Sequence, residues 1–187
     1  MYYVGVRDSV FDISGSGHHG TPVNGIHEVT PEASALHDNL GNSAIFTGTE
    51  VITCPAMTAE TGTIFVWFKT STAGVMDLVT STGIAFVINN GVVELTVNGN
   101  TVSDGTGLND GGWHMAVGKY GVGGLSVSID DGVAQSNPYA GTLAETADDW
   151  IIGNSYIGEM QEVSIHNVQV DAAEGNPGGK VLVFDGL

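Results

Sequence analysis

Basic residues are nearly missing from the chain. Arg7, Lys69, Lys119 and Lys180 stand against 21 Asp and Glu in 187 residues, for a formal net charge of −17. That balance excludes nucleic acid and anionic membrane surfaces as partners, because phosphate binding draws on clustered Lys and Arg. The acidity reads as solubility, which keeps free copies apart. Cysteine is almost absent as well: Cys54 stands alone, so no intrachain disulfide can form and Cys54 reads as a small buried hydrophobe. No apolar run approaches a membrane span, and the start MYYVGVRDSVFD lacks the basic and apolar regions of a signal peptide. Long amphipathic helical patterns are missing too.

What the chain has instead is glycine, 28 residues of it, between short runs rich in threonine and valine, with 42% hydrophobic residues in all. Many short strands with frequent turns follow from that composition. The length suits one domain over 1–187 with a sizeable core. The stretch Leu108 to Gly132 holds two alternating runs joined by Gly121-Val122-Gly123-Gly124, a β-hairpin pattern. In its first run Trp113, Met115 and Val117 share one face, with His114, Ala116, Gly118 and Tyr120 on the other. Trp113 and Trp67 are expected in the core.

Further strands are expected at Tyr2 to Val6, around Ala44 to Phe46 and Val51 to Ile52, and at Gly62 to Thr70. Others follow at Val75 to Thr80, Ile84 to Asn89, Val92 to Asn98, Trp150 to Ile152, Ile157 to Asn167 and Val181 to Phe184. The closing strand is expected beside the first. Asp8 to Asn24, Asn100 to Asn109 and Gln135 to Asp149 read as loops, and Val168 to Glu174 as one helical turn.

Chemical motifs are scarce. Gly15, Gly17 and Gly20 match a dinucleotide fingerprint in spacing, but Thr21 and Pro22 open no helix to meet a pyrophosphate. His18, His19, His27 and His37 lack the cysteine partners or helical spacing of a zinc site. Asp77, Glu94 and Glu162 are single carboxylates on strands, whereas glycoside hydrolysis needs two across one sugar. No Gly-x-Ser-x-Gly elbow occurs, and Cys54 precedes Pro55 with no evident base. His114 reads as a structural histidine bonded within the sheet. Tyr139, Trp150 and Tyr156 are the loop aromatics on which a sugar could stack, with ordinary packing as their other reading. They cannot be placed on one surface from the sequence, so the ligand-binding residues stay unassigned.

Several blocks, taken in order, resemble the laminin-G-like, concanavalin A-like jelly-roll family of lectins and glucanases. They are Asp12 to Gly20 with Asn24 and Gly25; Ala44, Phe46 and Gly48; Thr63 to Phe68; Trp113 and His114; Ile129 to Gly132; and Gly158 to Ile165. The resemblance implies an all-β fold of two antiparallel sheets with very little helix, and one face where relatives bind or cut glycans. It also implies a structural calcium site, with Asp12 and Gln161 as the corresponding ligands. Gln161 stands where the family often has an aspartate, so the site loses a charge and no cofactor is expected to be required. The family's paired catalytic glutamates have no counterpart here, and a non-catalytic role is expected. The expected role is a structural or binding module, most simply a virion-type surface component such as a bacteriophage capsid decoration protein or fibre head. Such a module would dock as a homo-oligomer on a larger assembly at the virion surface. The alternative is a carbohydrate-binding, lectin-like domain of a cell-surface or secreted protein.

Overall fold

Period-two alternation dominates this chain, and strands are what it builds. In the computed structural model, which describes residues 5–7, 18–29, 43–57, 60–139, 141–143, 148–169 and 180–183, every regular element is a β-strand. In order they are β1 (Gly5–Arg7), β2 (Thr21–Val23), β3 (Ile26–Val29), β4 (Ser43–Thr47), β5 (Val51–Cys54), β6 (Gly62–Lys69), β7 (Val75–Ser81) and β8 (Ile84–Asn89). There follow β9 (Val92–Val97), β10 (Asn100–Asp104), β11 (Trp113–Tyr120), β12 (Leu125–Ile129), β13 (Gln135–Asn137), β14 (Trp150–Ile152), β15 (Ile157–His166) and β16 (Lys180–Val183).

They form two antiparallel sheets. One has nine strands in the order β1-β3-β4-β15-β6-β11-β12-β13, with β16 also beside β15; the other has seven, in the order β10-β9-β8-β7-β14-β5-β2. The expected all-β, two-sheet antiparallel sandwich is what the chain adopts. Asn90-Gly91 and Asn98-Gly99 turn β8 into β9 and β9 into β10, each with positive φ at both residues, as two-residue hairpin loops of this kind require.

The core lies between the sheets. From the nine-stranded sheet Ile64, Val66, Phe68, Ala116, Val127, Met160 and Val163 face inward, each at 0% exposure. Phe86, Ile88, Val93, Leu95, Val97 and Ile152 meet them from the other sheet. Each such side chain contributes roughly 1.5–3 kcal/mol relative to exposure. At one edge the sandwich is tied shut: β10 lies against β12 and β13, and Asn137 Nδ2 donates to Thr101 O at 2.9 Å.

This packing corrects the face assigned to the tryptophans. Trp113 pairs with Lys69 and Met115 with Trp67, and all four point away from the core; His114, Ala116, Gly118 and Tyr120 point into it. The reason is space. A Cβ at Gly118 would stand 3.1 Å from the Phe86 ring of the opposite sheet, so the inner face of β11 takes small residues and bulk goes outside.

Period-two alternation also breaks within β15. A bulge between Met160 and Val163 sets two residues, Gln161 and Glu162, against one on β6, and Met160, Val163 and Ile165 all face inward. The closing strand pairs with β15, not with the first strand. Because β4 covers only Ile157 to Met160, the edge from Glu162 to Ile165 is open to β16, while β1 pairs with β3. Three strands, β2, β10 and β13, fall within expected loops, and β3 falls where no strand was expected. The helical turn expected over Val168 to Glu174 lies mostly outside the described residues.

Candidate functional site

On the outer face of the nine-stranded sheet, one rung crosses four strands: Ile45 on β4, Glu159 on β15, Lys69 on β6 and Trp113 on β11. The next rung places Trp67 beside Met115. Lys69 Nζ sits 3.1 Å from Glu159 Oε1 and 5.9 Å from the centre of the Trp113 ring. Ser43 Oγ donates to Glu159 Oε2 at 2.8 Å. Lys69 and Glu159 keep 37% and 25% of their side chains exposed, so their pairing contributes little stability, ~0–1 kcal/mol. Its effect is to hold the acid and the indole in fixed positions on an accessible surface.

The same face closes farther along the strands. Val117 is 2%, Thr63 0%, Ser164 3% and His166 3% exposed. The open half is therefore the end that holds Glu159, Lys69, Trp113, Trp67 and Met115, all half-buried.

The backbone beneath the rung is fixed by close approach. Tyr156, fully buried and edge-on to Phe46 at 5.7 Å, donates its hydroxyl to Lys69 O at 2.9 Å. Burial pushes its pKa up, so the phenol stays protonated. Gly158, at φ +150, packs against the Lys69 carbonyl where any Cβ would clash. Tyr156 and Trp150, at 0% and 2% exposure, are thus core residues, and Tyr139 packs against the core. The loop aromatics singled out from the sequence belong to the core or pack against it; Trp67 and Trp113, expected inside, face outward.

A second cluster steadies the start of β11. His114 Nδ1 lies 2.8 Å from Asp130 Oδ2 and Nε2 lies 3.2 Å from Asp110 Oδ1, with the ring 5.9 Å from Phe68. Asp130 Oδ1 accepts from Met115 N at 2.8 Å and Asp110 Oδ1 from Gly112 N at 2.6 Å. Burial disfavours the imidazolium, but hydrogen bonds and charge from both aspartates outweigh it and raise the His114 pKa. Asp110 is lowered, first by the Gly112 N–H and then by His114. His114 is bonded, as expected from the sequence, but to Asp110 and Asp130 just outside the strands and not within the sheet.

Acid–base chemistry finds little support in these groups. Glu50 is 6% exposed; burial alone would raise its pKa, yet hydrogen bonds from the Thr47 and Thr49 backbone and the Thr47 hydroxyl hold it at about 2. The two described carboxylates with displaced pKa values, Glu50 and Asp110, thus move down, away from what a general acid needs. Ser164 Oγ and His166 Nε2 are 3.2 Å apart, but both residues are buried and His166 Nδ1 has no hydrogen-bond partner among the described residues to act as its orienting acid. Gln161 lies in the β15 bulge at 6% exposure, and Asp12 lies outside the described residues. Among the described residues no three His, Cys, Asp or Glu gather as a metal site.

No family model and no curated protein matches the sequence. Solved structures do match in fold. Domain 4 of AbnA, an extracellular arabinanase of Geobacillus stearothermophilus solved with arabinotriose, superposes with a TM-score of 0.62 at 15% identity, covering 88% of this chain and 92% of that one. Botulinum neurotoxin type C, whose uptake into cells depends on interaction with two ganglioside molecules, gives 0.67 at 8% identity over 92% of this chain. The chain spans about half, 49%, of that neurotoxin chain. A full-length tailspike protein of Escherichia coli O157:H7 bacteriophage CAB120 gives 0.50 at 14% identity, covering 86% of this chain and 26% of the tailspike.

Proposed function

We propose that this chain is a non-catalytic, carbohydrate-binding β-sandwich module whose binding face is the open half of the nine-stranded sheet. The observation that carries the reading is the rung of Glu159, Lys69 and Trp113 with Trp67 beside it. Sugars stack their C–H faces on indole rings, donate hydrogen bonds to fixed carboxylates and accept them from ammonium groups, and this is the described surface that offers all three. Similarity to the AbnA domain supports it, because nearly all of that arabinotriose-bound domain is covered. The neurotoxin supports the fold more than the ligand, since half of its chain lies beyond the match.

The tailspike likeness favours a second reading within the same class: a module of an extracellular or virion-associated fibre, a capsid decoration or fibre-head component that presents this face to a host glycan. The laminin-G-like resemblance of the motif blocks fits either. Calcium, with Asp12 and Gln161 as the positions that would meet it, is dispensable in this account; a chelator should leave the melting midpoint unchanged, and a fall reversed by calcium alone would show a real site.

A glycan array probed with the purified chain, with hits titrated by calorimetry, tests the function. Binding to a defined glycan, blocked by the free sugar and lost in Trp113→Ala, is expected. Release of reducing ends from a polysaccharide panel, abolished by one carboxylate change, would overturn the non-catalytic part.

A further inference from the structure

Resting on the glycan-binding reading above, we infer that the rung on β15, β6 and β11 selects uncharged oligosaccharides and rejects sialylated or uronate-bearing ones. The ligands named for the fold neighbours, arabinotriose and gangliosides, do not decide this. The charges of this chain do.

An anionic sugar needs a cation to receive it, usually an arginine or lysine with no other partner. Lys69 is the cation whose ammonium reaches the open half of the face, and it is already committed to Glu159 at 3.1 Å. Lys119 lies on the same face but pairs with Thr63, six residues along β6 from Lys69 and so about 20 Å away. Lys180 pairs with Ile165 toward the far end of β15, and Arg7 lies on β1, two strands beyond β4.

For a carboxylate to engage Lys69 it must displace Glu159, leaving that carboxylate beside the incoming one. Two like charges at such separation repel strongly on a half-buried surface. The net charge of −17 adds a long-range repulsion that salt screens. A neutral sugar meets neither obstacle. It can stack on the indoles and bond to the Lys69–Glu159 pair without breaking it, because the pair keeps exposed donor and acceptor capacity at 37% and 25%.

The test is an array in which each neutral glycan is printed beside its sialylated or uronate counterpart, probed with wild type, Trp113→Ala and Glu159→Gln, each confirmed folded by its thermal melt. Wild type should bind neutral members at least tenfold more strongly than their acidic counterparts at about 150 mM salt. The gap should narrow as salt rises, and Trp113→Ala should lose the signal. Glu159→Gln, which removes the competing carboxylate and releases Lys69, should shift binding toward the acidic members. If wild type binds acidic members as well as or better than neutral ones, or Glu159→Gln leaves the ratio unchanged, the selectivity inference falls while the glycan-binding reading stands. Binding to no member of either set overturns the glycan-binding reading itself.

Discussion

The two sheets turn very different outer faces to solvent. Across the seven-stranded sheet one rung runs Thr21, Thr53, Ile151, Thr80, Ala85, Thr96, Thr101, five threonines in seven positions. Thr96 and Thr101 hydroxyls lie 2.8 Å apart across β9 and β10. On the nine-stranded sheet the matching position holds Ile45, Glu159, Lys69 and Trp113. Both faces obey the same alternation, and both back onto the same core. The threonine rung is what a strand needs to be a strand, β-branched and hydroxylated; the charged and aromatic rung goes beyond that need. Fold accounts for the first face, and the recognition proposed above would account for the second.

The strongest way to break that comparison is to set the two sides of one sheet against each other. Phe68 faces the core at 0% exposure and Trp113 faces out from the neighbouring strand. Phe68→Ala should cost about 3–5 kcal/mol in denaturant melts and Trp113→Ala about 1 kcal/mol or less. Equal losses would return the tryptophan to a core role.

Next in size is the Thr47–Glu50 turn, which joins β4 of one sheet to β5 of the other. A glutamate lowered from 4.5 to about 2 contributes, by linkage, about 3 kcal/mol that is complete above its unfolded value and lost as pH falls through the folded one. Glu50→Gln should therefore destabilise the protein by about 2–3 kcal/mol at neutral pH and much less near pH 2. A pH-independent penalty would mean that hydrogen-bond shape, not charge, holds the turn.

A smaller effect comes from His114, on the inner side of β11. Its pKa is raised, so its stabilising contribution is full below the ordinary value of 6.5 and fades as pH climbs through the raised one. Asp110, lowered, acts the other way and loses its share as pH falls below its ordinary 3.8. Both aspartates are largely exposed, with 60% and 47% of their side chains accessible, so solvent screening keeps the effect small. Thermal melts should show a shallow stability loss above neutral pH that His114→Gln removes; a profile unchanged by that substitution would detach the cluster from the titration. Smallest of all, Thr101→Ala on the opposite face should shift stability by about 0.5 kcal/mol.

The comparison also shows where sequence stops being informative. Strands with several apolar residues on one side, such as β8 and β9, are legible because alternation signals a half-buried sheet. Strand β10 has one apolar inward residue, Val102, and β2 has Pro22 at its centre; both exist because a longer neighbour supplies hydrogen bonds, which local pattern does not reveal. The proposed binding face is hard to read for a different reason. Bulk on both sides of β6 makes Trp67 and its neighbour Trp113 look like core, and the Phe86 ring against Gly118 shows which side of β11 has no room. That small inward residues force large ones outward is a signal present in Ala116 and Gly118, but it needs the opposing sheet to be read.

The most direct test of the account is calorimetric titration of folded Trp113→Ala and Thr101→Ala with a neutral oligosaccharide that wild type binds. Stacking on the nine-stranded face predicts that Trp113→Ala loses binding at least tenfold, while Thr101→Ala keeps wild-type affinity, about 1.4 kcal/mol apart at the least. Affinity retained in Trp113→Ala, or lost in Thr101→Ala, would place recognition elsewhere and contradict the division of labour between the two faces.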